Sequence, residues 1–262
     1  MPSASRLVDL QDHIRRIERP SAGRHGVLPF GIAALDRALP GGGLALGAVH
    51  EILGAGPDEE DGAAAAGFVA GITGRLGSGF PGGLVLWCLK QRDLYGPGVE
   101  AHGLDPARIV VVRAARDDDL LWAIEEGLRT PGIAAVVGEI GRLPMVAGRR
   151  LQLAAERSGI PAFLLRRWRT SAEATGERTR PSAAITRWQV APLPSLPESG
   201  EPGIGRSRWR VELLRCRGAE ATDLSWDLEV ADESGVVCLP DELADRPAAP
   251  RRPAAELWRR AS

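Results

Sequence analysis

At 262 residues and 44% apolar composition, the chain can bury a full hydrophobic core, which excludes a disulfide-stapled miniprotein and a low-complexity chain. A net charge of −1 excludes a uniformly basic nucleic-acid sleeve. There is neither a leader-like segment nor an apolar run of membrane length, so a cytoplasmic location without membrane attachment is expected. The charge is nevertheless uneven. Between residues 142 and 217, 15 arginines stand against 6 carboxylates, a net of +9, while the remainder carries −10. The first region is a candidate anion-binding surface. Cys88, Cys216 and Cys238 are too far apart for a disulfide framework or a metal knuckle, and His13, His25, His50 and His102 are scattered. No metal and no cofactor are expected.

In chain order, Ser5 caps a predicted helix whose Leu7, Leu10, Ile14 and Ile17 form an apolar stripe, ended by Pro20. Such a stripe covers its own core or docks on a neighbour, including another copy of the chain. Residues 1–26 read as this helix and a linker, 27–240 as the main domain, and 241–262 as a disordered Ala/Pro/Arg tail carrying Leu257 and Trp258. Phe30-Gly31 is a predicted turn and Ile32 to Leu39 a short helix, broken by Pro40 and three glycines. Strands are predicted at Val49–Leu53, Leu84–Leu89, Ile109–Arg113, Ile133–Val137 and Ile160–Leu165. Helices are predicted after Gly62, from Asp117 and over Leu143–Arg157. This alternation implies βαβ units and a mostly parallel sheet covered on both faces. Arg166 to Pro181 shows no periodicity and is predicted as a long polar loop. Ala183–Val190, Trp209–Cys216 and Leu224–Val230 follow as strands, the last two antiparallel, and Pro192 to Gly205 as a mobile connection. The fold class is therefore α/β, with antiparallel strands at the C-terminal end.

The stretch from Gly41 to Ala66 has the layout of a phosphate-binding loop: a strand, a glycine turn at Gly54 and Gly56, then a helix whose N-terminus offers backbone N–H groups. The chemistry of a working loop, G-x-x-x-x-G-K-[ST], is missing. Gly56 and Gly62 are one residue too far apart, Ala63 and Ala64 stand where Lys and Ser/Thr belong, and the sole lysine of the chain is Lys90. Asp58, Glu59, Glu60 and Asp61 fill the interval, each repelling a phosphate by about 1 kcal/mol or more at contact distance. The same carboxylates suit the positive end of the following helix. The loop is thus predicted to bind no ATP, its own acids taking the place of the anion.

The run GIAALDRALPGGGLALGAVHEILG resembles the segment leading into the ATP loop of RecA-type recombinases, and the similarity in pattern extends from about Gly31 to Val230. With the missing lysine and the WRVELLRCRG run at Trp209–Gly218, the sequence resembles the ImuA family, RecA-like accessory proteins of bacterial damage-induced mutagenesis. The resemblance implies a RecA-like core and, as partners, an ImuB-like inactive relative of lesion-bypass polymerases and an error-prone replicative-type polymerase. RecA itself and single-stranded DNA are further candidates. The recombinases' catalytic Glu corresponds to Lys90 or Gln91, neither a general base at neutral pH. Their magnesium-associated Asp corresponds to Gly138 or Glu139. A pseudo-ATPase is implied, with no catalytic residue. The recombinases' DNA-facing loops correspond to Gly138–Arg150 and Arg166–Pro181. In the second, Arg166, Arg167, Arg169, Arg178 and Arg180 would hold phosphates while Trp168 stacks on a base. Leu7, Leu10, Ile14, Ile17 and Trp258 are the candidate partner contacts. Two alternatives stand beside this reading: a damage-induced division inhibitor of the SulA type, for which this chain is long, and a nucleotide switch using the Gly54 and Gly56 backbone without a lysine.

Overall fold

The computed structural model describes residues 22–79, 83–168, 170–195, 203–219, 224–230 and 237–238. The predicted N-terminal stripe of Leu7, Leu10, Ile14 and Ile17, Arg169, and the tail with Trp258 lie outside the described residues.

A helical turn, α1 (Ala22–His25), occupies part of the expected linker. The two-residue strands β1 (Val27–Leu28) and β2 (Leu44–Ala45) then pair antiparallel around a second helical turn, α2 (Ala33–Asp36). The Asp36 carboxylate accepts from the backbone N–H groups of Phe30 (2.6 Å) and Gly31 (2.9 Å), and Gly31 sits at φ +77°, so the Leu-Asp pair fixes the turn before the sheet begins.

The central sheet follows. Its strands are β3 (Val49–Gly54), β4 (Leu84–Leu89), β5 (Ile109–Arg113), β6 (Ile133–Ile140), β7 (Ala162–Arg166), β8 (Thr186–Leu193), β9 (Arg208–Cys216), β10 (Leu224–Val230) and β11 (Val237–Cys238). They lie in the order β11-β10-β9-β8-β3-β7-β6-β4-β5. Every pair from β8 to β5 is parallel, whereas β8–β9, β9–β10 and β10–β11 are antiparallel. This is the expected α/β architecture, a mostly parallel sheet with antiparallel strands at the C-terminal end. The interior strands β3 and β7 are buried at every residue, as strands covered on both faces must be, while β9 alternates buried and partly exposed positions.

Helices cover both faces. α3 (Asp58–Gly79) packs on β3, β6 and β8, with α4 (Gly96–Glu100) beside it. Phe68 of α3, Phe30, Trp188 and Trp209 form an aromatic core on this face, with Val69 in the same buried cluster. α5 (Asp117–Gly127) and α6 (Met145–Ser158) pack on the other face over Leu86, Val136 and Leu164.

Two departures from expectation bear on the site. The first is α3, which begins at Asp58, five residues before the expected start after Gly62. Pro57 turns the chain, its carbonyl accepting from the N–H groups of Glu60 and Asp61 at 3.0 Å each, and all four acids occupy the first turn, where the helix dipole favours them. The second is α7 (Ser171–Arg178), a helix within the expected polar loop. Thr170 caps it by accepting from the Glu173 N–H (3.2 Å), and Arg187 closes its other end by donating to the carbonyls of Glu177 (3.3 Å) and Arg178 (3.2 Å). Ala174 is the one buried residue of α7, so the helix leaves no apolar stripe in the sequence. The other expected DNA-facing loop contracts to residues 141–144 between β6 and α6.

Candidate functional site: a closed phosphate loop beside an arginine cluster

In a parallel α/β sheet, ligands are taken up in the crevice beyond the carboxyl ends of the strands. Here that crevice is bordered by the ends of β3, β4, β6 and β7 and by the first turn of α3. It holds a cavity of about 850 Å³ lined by Asp58, Lys90, Glu139, Arg142, Arg167 and Trp168 among others.

The loop after β3 has the path of a phosphate cradle, but its donors are used internally. The Ala55 N–H donates to the Val190 carbonyl (3.2 Å), the Gly56 N–H to the Asp61 carboxylate, and the Asp58 N–H to the Trp168 carbonyl (2.9 Å). Pro57 has no N–H to offer. The space enclosed by Gly54, Gly56, Gly62 and Arg167 is about 10 Å³, at most room for one water. Asp61, 8% exposed, thus stands where an anion would sit in a functional loop. Of the expected lysine and hydroxyl positions, Ala63 is exposed on α3 and Ala64 is buried in the core.

Next to the loop, the guanidinium of Arg167 gathers three carboxylates from three elements. Nη1 donates to Asp58 Oδ1 (3.0 Å) on α3, and Nη2 faces Glu139 Oε2 (3.0 Å) on β6 and Asp93 Oδ2 (2.5 Å) beyond β4. Glu139 is held from its other oxygen by the Trp87 indole N–H (2.7 Å). Burial pushes the Glu139 and Asp58 carboxyls above their usual range, with Arg167 acting against it. Burial also works against the Arg167 charge, but the three carboxylates outweigh it and hold the guanidinium more firmly protonated than usual. Gly62 makes room for this arrangement, because a Cβ there would lie 2.3 Å from Asp58 Oδ1 and 3.2 Å from Arg167 Nη1.

A second cluster lies deeper. Glu51, 1% exposed, accepts from Arg187 Nε (2.9 Å) and Nη2 (2.7 Å) and from the Ser182 hydroxyl, with Arg166 Nη1 at 3.4 Å. Arg166 also reaches Glu177 Oε2 (3.2 Å) and the Gly141 carbonyl (3.0 Å), and its guanidinium lies 4.9 Å from the Trp168 ring centre. Burial lowers its pKa, countered by Glu51 and Glu177.

These placements correct the expected DNA-facing loop. Arg166 and Trp168 are interior residues, each 5% exposed, the indole packing against Leu53 and Ala174, and not side chains of an open loop. Arg167 is engaged by its carboxylates, Arg178 by Gln189 and Glu212, and Arg180 by Glu177. A loop reading treats each arginine as solvated, but each of the four described arginines of this segment has a buried or partly buried acceptor. Glu51, Asp93, Trp87 and Arg187 were not singled out in the sequence. A signal for two of them was present: Glu51 and Arg187 each interrupt an apolar strand, and a charge there requires a partner. The two are register partners across β3 and β8.

Among the described residues, no helix is long and apolar enough to cross a membrane. No family model matches the sequence. Protein ImuA of Caulobacter vibrioides strain NA1000 / CB15N is 41% identical over 240 residues, covering 89% of this chain and 95% of that protein, and Protein ImuA of strain ATCC 19089 / CIP 103742 / CB 15 matches with the same figures. Identity at this level, over nearly the full length of both chains, shows that this chain belongs to the ImuA family.

Proposed function

We propose that this protein is a non-catalytic accessory factor of damage-induced mutagenesis, binding an ImuB-like inactive polymerase subunit and supporting recruitment of an error-prone replicative-type polymerase to damaged DNA. The family supports the process. The observation that carries the non-catalytic part is the internal use of the loop donors. The N–H groups of Ala55, Gly56 and Asp58, which would have to face phosphate oxygens, face Val190, Asp61 and Trp168 instead. Binding a triphosphate would require breaking all three bonds and bringing the ligand against Asp58 and Asp61. On this reading the RecA-like core is a scaffold, and contact with partners falls to segments outside the site, such as the stripe Leu7, Leu10, Ile14, Ile17 and the tail around Trp258. A tryptophan within an Ala/Pro/Arg-rich segment suits a binding anchor.

The test has two parts. A tagged copy recovered from its own bacterium after DNA damage is expected to bring down lesion-bypass polymerase components, identified by mass spectrometry. Recovery of the tubulin-like division protein instead would place the chain with division inhibitors. Calorimetric titration of the pure protein with Mg-ATP is expected to give no saturable heat. Hydrolysis that is abolished by a substitution at Ala63 would overturn the non-catalytic reading.

A further inference from the structure

Asp58, Asp93 and Glu139 come from the starts of three different connections, after β3, after β4 and at the end of β6, and meet at one point of the crevice. Three carboxylates do not converge on a half-buried point without a cation between them, because each unscreened pair repels strongly where water is scarce. In a phosphate-loop protein the cation beside the first turn of this helix is a metal ion together with the loop lysine. Here the position is filled covalently. We infer that the crevice is an internal cation site whose resident ligand is the guanidinium of Arg167, delivered from the end of β7.

Four observations carry the assignment. Each terminal nitrogen of Arg167 is used, one for Asp58 and one shared by Asp93 and Glu139, so the planar fork is matched to acceptors on two sides. Glu139 is held by Trp87, which is itself fully buried, so this acceptor is positioned independently of the arginine. Gly62 leaves the space that the Asp58–Arg167 contact needs, on a helix where alanine fills the following positions. The site also opens onto the 850 Å³ cavity, so a small cation in solution has a route to it. The consequence is mechanical. Arg167 ties α3, the β4 connection, β6 and β7 into one arrangement, doing permanently what a bound ligand would do transiently. The core then has no ligand-dependent state to leave. This deepens the non-catalytic reading and rests on it only in the equation of the site with a lost ligand position; the test below reads the arginine alone.

The test is chemical rescue in the full-length protein. Arg167→Ala removes the cation and leaves the three carboxylates facing one another. Its Tm is expected to fall by roughly 5–10 °C, as for loss of one partner from a partly buried ion cluster in a domain of this size. Adding about 50 mM methylguanidinium should return about 2–4 °C of that loss, the gain for a ligand present at several times its dissociation constant. The same salt should leave the wild-type Tm unchanged or slightly lower, since its site is filled. Tetramethylammonium at equal ionic strength should do nothing for the variant. Arg167→Lys should fall between the two, because a compact ammonium cannot fork to both sides. Equal recovery with both salts would mean simple screening and would overturn the assignment, as would a folded variant that methylguanidinium does not stabilise or a variant with the wild-type Tm. If Arg167→Ala does not fold, Arg167→Gln, which keeps one amide donor, is put through the same comparison and judged by the same outcomes. Absence of a Tm shift with Mg-ATP in the wild type bears on the non-catalytic reading separately.

Discussion

Arg166 and Arg167 are neighbours in the chain, yet they serve clusters of opposite character. Arg166 turns inward to Glu51, Arg187 and Glu177, where Arg166, Arg187 and, at the rim, Arg180 compensate both carboxylates. Arg167 turns toward the crevice, where one guanidinium meets three carboxylates and the balance is negative. The first cluster is largely buried beneath α7, with Glu51 and Arg187 held by short-range partners, although Arg166 Nε has none. The second borders a cavity, and burial lifts two of its carboxyls toward their neutral forms. The contrast separates a charge network that fixes the fold from one that occupies a vacated site. Adjacent positions at a strand end reach opposite sides of the sheet, so the sequence RRWR can supply both.

The largest expected effect lies in the first cluster. Arg187→Met leaves Glu51 with the Ser182 hydroxyl and Arg166 at 3.4 Å, and also releases the carbonyls at the end of α7. Stranding a buried carboxylate in this way is expected to cost about 3–5 kcal/mol, measured by urea unfolding. A loss below about 1 kcal/mol would mean the cluster is hydrated.

The next effect is read in pH. His50 neighbours Glu51 on β3, is 1% exposed and bonds to Thr186 Oγ1 (2.7 Å) and the Ala45 carbonyl (2.9 Å). Burial lowers its pKa from 6.5 to about 4. Unfolding then takes up a proton between these values, so stability is full above pH 6.5 and falls as pH drops toward 4. The full change is about 3 kcal/mol, and His50→Gln should flatten it. Glu139 gives the opposite slope. Its folded pKa is raised above the usual 4.5, so stability is greatest below that value and declines as pH rises through the folded pKa. Glu139→Gln should remove this decline while leaving the His50 limb in place, which would show by stability against pH that the two regions titrate with opposite sign.

How far the sequence revealed this follows from what each element buries. Leu84–Leu89 was legible residue for residue, because burial from Val85 to Leu89 leaves a continuous apolar run, and Ile109–Arg113 was legible from its β-branched residues although it is the half-exposed edge strand. The degenerate loop was legible too, since the missing lysine and the four acids are a matter of identity and not of conformation. The start of α3 was not. Glycine at position 62 reads as a turn residue, yet it sits inside the helix to admit Asp58 and Arg167. α7 was hidden by the lack of an apolar stripe, and with it the fate of the basic segment. Composition counts arginines, but the partners that decide their role come from β3, β6 and the β4 connection, more than 70 residues away in the case of Asp93 and Arg167.

Gly62→Ala gives the smallest effect and the finest discrimination between the two clusters. It changes no charge and lies on α3, away from Glu51 and Arg187. Alanine should stabilise a helix interior by about 1 kcal/mol over glycine. Against that, the new Cβ would stand 2.3 Å from Asp58 Oδ1, so the carboxylate must swing away and give up Arg167. A hydrogen bond to a charged partner is worth about 1.5–3 kcal/mol when buried and less at the partial exposure of this pair. The two terms should nearly cancel or leave a loss of about 1 kcal/mol. A gain of the full helix term would mean that Asp58 contributes nothing and that Arg167 is held by Glu139 and Asp93 alone. In the Arg167→Ala background the carboxylate has no partner to lose, so the same substitution should there be stabilising. That change of sign between the two backgrounds, measured as a double-mutant cycle, isolates the Asp58–Arg167 contact from every other interaction of the crevice.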